Sequence, residues 1–251
     1  MVKVLVCGIA GHMGGNILEL LKGDDEAQAV CGVDLHAPEN FAGKVYPTFA
    51  EVSEDVDVVI DFSSPACLES ELEFCTERGV PAVIAATGYT AEQLAHIEQC
   101  AKKVAIFRTA NFSVGVNLLV KLVKEAAAFL GEKFDIEIVE KHHNLKKDAP
   151  SGTALMLADA ANNAFEEKKP YICGREGIVG ARGNEIGIHA VRGGTIVGEH
   201  EVLFCGEDEI ITLAHSARSK KVFASGAIRA AKWICGKPAG LYDMKDVLAD
   251  L

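Results

Sequence analysis

The chain reads as an α/β protein in which a doubly wound parallel sheet is followed by a second α+β domain built on a mixed or antiparallel sheet. Three observations carry that expectation. Short, unbroken apolar runs alternate with helix-period segments from Val2 to about Phe107. A glycine-rich turn follows the first apolar run at once. After Asn111 the alternation stops, and a long helical pattern leads into strand-like segments joined by short links.

Val2 to Cys7 is continuously apolar, as suits a strand buried on both faces, and GIAGHMGG then opens into the helix-like NILELLK. Ala27 to Val33 is the second strand and ends at Asp34. Val56 to Ile60 and Val80 to Ala85 are further buried strands, separated by the helical pattern Pro65 to Arg78. Gln93 to Ala101 reads as the next helix and Val104 to Phe107 as the next strand. Strand and helix units of this length imply parallel pairing.

Beyond them, a helix from Val114 to Leu130 leads to a strand at Phe134 to Val139, a basic loop, and an alanine- and leucine-rich helix from Thr153 to Phe165. Glu185 to Val191, Thr195 to Phe204 and Glu209 to Ala214 read as strands joined by links such as RGG and CGED, a pattern that suggests consecutive pairing. Tyr171 to Asn184 has four glycines and two arginines without periodicity and reads as an exposed loop. A last helix near Ser219 to Ile234 is free, on sequence grounds, to return to the first domain or not.

A chain of 251 residues with 49% hydrophobic content can bury one large core or two modest ones. A net charge of -11 argues against a nonspecific grip on nucleic acid or an anionic membrane, although Lys141, Lys146 and Lys147 form a local basic patch. The apolar start breaks at Gly8, so no signal peptide is expected, and no run approaches membrane-spanning length. The eight cysteines contain no CxxC pair and several sit within apolar runs. Reduced thiols in a cytoplasmic protein without bound metal are the expectation.

Gly8, Gly11 and Gly14 form GxxGxxG between a strand and a helix, one residue off the usual dinucleotide spacing. Such glycines permit a tight turn, the approach of a pyrophosphate to backbone amides, and close helix packing. Asp34 stands about 20 residues on, where a carboxylate accepts hydrogen bonds from an adenosine ribose. Leu35 follows it and only His36 offers partial charge, which favours NADH and leaves NADPH possible. ATGYT (Ala86 to Thr90) and TANF (Thr109 to Phe112) follow the fourth and fifth strands, on the carboxyl edge where ligands of such sheets bind; each is equally compatible with an ordinary turn.

The densest chemistry is EKHHNLKKDAPSGT, from Glu140 to Thr153. If the strand continues, His142 and His143 face opposite ways, so one is free to serve a ligand while the other packs. Lys146 lies four residues after His142, as a cation for a carboxylate or a general acid. Ser151, Gly152 and Thr153 present amides and hydroxyls at a helix start, a cradle for an anionic oxygen. The plainer alternative is a solvated basic loop with Ser151 or Thr153 as helix cap.

GIAGHMGG, ATGYT, ANFSVGVN, EKHHNLKKDAPSGTA, RGGTIVGEHEV and ASGAIRAAKW resemble, in the same order, blocks of the dihydrodipicolinate reductase (4-hydroxy-tetrahydrodipicolinate reductase) family, and the loop is the most specific of them. The resemblance implies a Rossmann-like nucleotide domain of residues 1–110 with 219–251. Residues 111–218 would bind substrate and form a homotetramer through the central sheet. It implies NAD(P)H-dependent reduction of 4-hydroxy-tetrahydrodipicolinate, a small cyclic dicarboxylate, in the diaminopimelate route to lysine. His142 is then a proton donor or acceptor and Lys146 the general acid, while His143, Gly152 and Thr153 hold carboxylates. Gly8, Ile9, Ala10, Gly11, His12, Met13, Asp34, Ala85, Ala86, Thr87, Thr109, Ala110, Asn111 and Phe112 match cofactor segments. Two departures stand out: Ala85-Ala86-Thr87-Gly88 where many members read GTTG, and Leu35 where some carry arginine. Closure of one domain over the other is expected to assemble the site. Two other readings fit parts of the sequence: another two-domain NAD-dependent amino- or keto-acid dehydrogenase, and a dinucleotide-sensing regulator that would have no use for His142 and Lys146.

Overall fold

The structure is a computed structural model that describes residues 1–250. The chain divides into two units, Met1–Ser113 with Lys220–Leu251, and Val114–Ser219. Its elements in order begin β1 (Val2–Cys7), α1 (His12–Leu21), β2 (Ala27–Val33), β3 (Lys44–Tyr46), β4 (Val58–Asp61), α2 (Leu68–Arg78), β5 (Ala82–Ile84), α3 (Ala91–Cys100) and β6 (Ala105–Arg108). They continue with α4 (Val114–Leu130), β7 (Asp135–His142), α5 (Gly152–Asn162), β8 (Tyr171–Cys173), β9 (Ile186–Arg192), β10 (Gly198–Cys205) and β11 (Ile210–Ala217). The chain ends with α6 (Lys221–Ile234), β12 (Gly240–Tyr242) and α7 (Met244–Ala249). No described helix is long and apolar enough to cross a membrane.

The first unit is the doubly wound sheet that the sequence predicts, with strand order β12-β6-β5-β4-β1-β2-β3 and every pair parallel. Apart from β12 at the edge, this is the order of dinucleotide-binding sheets, with the direction of winding reversing between β1 and β4. Val4, Leu5, Val6, Val58, Val59 and Ile60 are fully buried because helices cover both faces, which is why their strands are continuously apolar. On one face Leu68, Leu72 and Cys75 of α2 and Ile97 of α3 pack on Leu5, Val59, Ile84 and Ile106. Each such side chain contributes roughly 1.5–3 kcal/mol on burial. The last long helix does return here: α6 packs on α1 and on β4, β5 and β6.

The second unit is a five-stranded mixed sheet ordered β11-β10-β7-β9-β8. Ile136, Ile138, Ile186, Ile188, Val202 and Phe204 line the face that packs on Leu119 and Val123 of α4 and Leu157 and Ala161 of α5. The short RGG link suggests that β9 and β10 pair directly. They do not: β7 lies between them, parallel to β9 and antiparallel to β10. The link therefore passes over the carboxyl end of β7, where Gly193 N–H donates to the His142 carbonyl at 2.9 Å and Asn144 N–H to the Gly194 carbonyl at 3.2 Å. Three residues of the expected loop at Tyr171 to Asn184 form β8, paired with β9.

The opposite face of this sheet carries charge. Glu137 takes Arg175, Arg182 and His189 as partners at 2.8–3.0 Å. Lys141 points to this side as well, reaching Glu201 at 2.7 Å and Glu199 at 3.4 Å. The basic patch expected from Lys141, Lys146 and Lys147 is thus divided, because alternation turns Lys141 away from Glu140 and His142.

Candidate active site

All strands of the first sheet run the same way, so the segments that follow them share one edge. Along it lie, in strand order, Thr109 to Phe112, Ala85 to Thr87, the turn after Asp61, Gly8 to Met13, and Asp34. Gly8 has φ +76°, open to glycine at little cost, and a side chain there would press on the backbone of Ser63 at 3.0 Å. A side chain at Gly14 would overlap the carbonyl oxygens of Gly8 and Ile9, so the helix α1 sits directly on the turn. Gly11 caps α1 without a side-chain hydrogen bond, which leaves the first-turn amides to other acceptors. Asp34 is drawn into the turn: its Oδ2 accepts from Ala10 N–H at 3.0 Å and its Oδ1 from His36 N–H at 3.3 Å.

The remaining residues on this edge contribute unequally. Ile9 and Phe112 are buried, with Phe112 packed between the rings of Phe62 and Phe107 at 5.8 and 5.9 Å. Only the backbone of these two is available to a ligand. Ala86 is also buried, whereas Ala10, His12 and Thr87 are exposed and Met13, Ala85 and Thr109 are half-buried. Asn111 accepts from Ser113 N–H at 2.8 Å through its side chain. Asp61, at the end of β4, accepts from Ser63 N–H at 2.7 Å and from Tyr89 at 3.4 Å, holding the turn that abuts Gly8. Burial raises its carboxyl above the ordinary range.

In the second unit β7 runs three residues past the expected Val139, so His142 belongs to the strand and not to the loop. Ile136, Ile138, Glu140 and His142 occupy successive inward positions. His142 is 9% exposed as a residue, and its Nδ1 lies 2.5 Å from Glu140 Oε2. Arg192, at the end of β9, clamps both Glu140 oxygens at 2.8 Å and also donates to the Asp148 carbonyl at 2.6 Å. Burial alone would raise the Glu140 carboxyl, but Arg192, His142 and the Ser151 amide outweigh it and hold it below the ordinary range. His142 Nε2 looks past Gly198, where a side chain would come within 3.2 Å of it.

His143, the next residue, is half-buried and outside the strand, and its carbonyl accepts from Lys146 N–H at 3.2 Å. Lys146 Nζ pairs with Asp148 at 2.8 Å and is one-fifth exposed. Helix α5 begins at Gly152, one residue before the expected Thr153. Ser151 is its cap and is 2% exposed. Its Oγ accepts from Ala154 N–H at 3.2 Å and bonds His200 Nε2 at 3.1 Å, while its N–H donates to Glu140 at 3.1 Å. Ser151 thus turns its amide toward Glu140 and its hydroxyl toward His200. Gly152, exposed, and Thr153, half-buried, remain at the helix start. Glu140, Arg192 and His200 are the side chains that the motif reading did not single out.

A description of the dihydrodipicolinate reductase N-terminal region matches residues 2–112, and one of the C-terminal region matches residues 115–248. The 4-hydroxy-tetrahydrodipicolinate reductase of Caldanaerobacter subterraneus subsp. tengcongensis is 50% identical over 250 residues, covering 99% of this chain and 98% of that one. Its counterpart in Clostridium tetani is 44% identical, covering 99% and 97%. Among solved structures, the dipicolinate-bound dihydrodipicolinate reductase of Paenisporosarcina sp. TG-14 superposes with a TM-score of 0.82 at 27% identity, over 97% of each chain. The chain belongs to the dihydrodipicolinate reductase family of pyridine-nucleotide-dependent oxidoreductases.

Proposed function

We propose that the protein reduces 4-hydroxy-tetrahydrodipicolinate to tetrahydrodipicolinate with a reduced nicotinamide dinucleotide, in the diaminopimelate route to lysine. The observation that supports this over other reductions is one segment, from the end of β7 to the start of α5, in a chain matched end to end by reductases of that name. It holds an imidazole at a strand end, an ammonium four residues on and an open helix start.

The first unit fits the dinucleotide. The glycine turn is a cradle that side chains would fill, and Asp34 stands at it as an acceptor for ribose hydroxyls. NADH is the preferred form in this proposal, because Leu35, 81% exposed, follows Asp34 where a cation would greet a 2′-phosphate. The bound dinucleotide supplies a hydride. The protein's own residues do the rest. His143 with the start of α5 at Gly152 and Thr153 receives the carboxylates of the cyclic substrate. Lys146 protonates the electron-rich enamine that hydride addition leaves, and His142 gives or takes a proton beside it. The substrate's hydroxyl leaves as water.

The oxidation of NADH and of NADPH, followed by absorbance with substrate generated in situ by the preceding synthase, tests the reading. Turnover faster with NADH is expected, and no oxidation of either removes the proposal. A cytoplasmic location fits the eight free cysteines. Self-association into a homotetramer through the charged face of the second sheet completes the proposal, with sedimentation velocity as its measurement.

A further inference from the structure

Glu140 is a carboxylate with no exposure to solvent, set in the middle of a sheet. A buried charge survives only where its lone pairs are taken, and here they are. Arg192 Nη2 and Ser151 N–H reach Oε1, and Arg192 Nη1 and His142 Nδ1 reach Oε2. An ionised carboxylate has nothing to donate. The 2.5 Å contact therefore fixes Nδ1 of His142 as the N–H end of the ring, in either charge state. The second imidazole of the cluster adds no competing charge, since burial followed by the charge of His142 pushes His200 down to about 4.

We propose that Glu140, clamped by Arg192, is the positioning residue of the reaction: it sets the tautomer and the ring plane of His142 so that Nε2 is the nitrogen that exchanges a proton with the ligand. The proposal rests on the reading of His142 as a proton donor or acceptor. Arg192 has a separate part in it. By occupying one side of both carboxylate oxygens it leaves Oε2 a single remaining direction, toward the ring, and its bond to the Asp148 carbonyl ties the loop to the same clamp. Replacing Glu140 by glutamine keeps the shape, but Arg192 claims the amide oxygen and the amide NH₂ is presented to His142. The ring must then accept at Nδ1 and carry its proton on Nε2, the wrong way round.

The test is long-range proton–nitrogen correlation NMR of full-length protein labelled with ¹⁵N-histidine, alongside steady-state kinetics. Wild type should show the Nδ1–H tautomer at His142 in its neutral form. Glu140→Gln should show Nε2–H and lose about 10²- to 10⁴-fold in kcat, with the NADH KM unchanged. Arg192→Lys disturbs the same clamp but should keep the Nδ1–H tautomer, which separates positioning from a general loss of structure. Added to His142→Ala, Glu140→Gln should cost nothing more. Retention of Nδ1–H in a folded Glu140→Gln protein overturns the proposal, as does a kcat close to wild type in a series where His142→Ala is inactive. If His142→Ala itself turns over normally, the catalytic reading of His142 fails, while the spectra still decide what Glu140 does. Should Glu140→Gln not fold, an Nε2–H tautomer in the wild type is enough to reject the idea.

Discussion

The rings of His142 and His200 meet edge to face, with centroids 5.2 Å apart and planes at 74°. Strand pairing brings them together: Glu199 of β10 lies opposite Lys141 of β7, so their neighbours His200 and His142 share the inner face. Burial, and then the charge of His142, pushes His200 down to about 4 from an ordinary 6.5.

That depression makes the second unit sensitive to acid. Between pH 6.5 and 4 the unfolded chain takes up a proton at His200 that the folded chain refuses. The stabilising contribution is complete above the higher value and is lost as the pH falls through that window. Exchange protection of β7 and β10 amides should decline over the same range, and the decline should be shallower in His200→Gln. An equal slope in both proteins would place the titrating group elsewhere.

Lys146→Met should lower kcat by about 10²–10⁴-fold while NADH affinity, measured by calorimetry, stays nearly the same. The methionine keeps the length of the stem and removes the proton donor. Normal turnover would take Lys146 out of the mechanism.

Asp34→Ala removes an acceptor for Ala10 N–H together with the proposed ribose contact. A hydrogen bond to a charged group is worth about 1.5–3 kcal/mol, so NADH binding should weaken on the order of 10- to 100-fold. NADPH binding should weaken less, and equal losses for the two would argue against a ribose role.

Ser151→Ala should lower stability by about 1–3 kcal/mol, since α5 loses its cap and His200 Nε2 its partner in a buried setting. The substrate KM should change little, because the hydroxyl faces inward. A large rise in KM with unchanged melting would make Ser151 a ligand of the substrate.

Much of this architecture was legible in the residues. β1, β2 and α4 begin and end where their apolar patterns do, because each is long and packed along its length. β3, β8 and β12 have three residues apiece, too few to display a period. The end of β7 is more instructive. Inward alternation continues from Ile138 to Glu140 and His142, but the inward residues become polar there, so hydrophobicity alone ends the strand at Val139. The Glu140 cluster was hidden for a different reason. Arg192 is 52 residues from Glu140, and His200 is 49 from Ser151. Only the order of strands in the sheet makes them neighbours, and the RGG link had suggested a different order.

The link over the end of β7 has a consequence for tolerance to change. Its ends are fastened to the two strands that flank the one it crosses, so it must bridge two interstrand spacings, about 10 Å. Its length, and not merely its composition, is therefore set by the order of the strands. Adding or removing a residue between Gly193 and Val197 should disable the enzyme even where no functional group is altered.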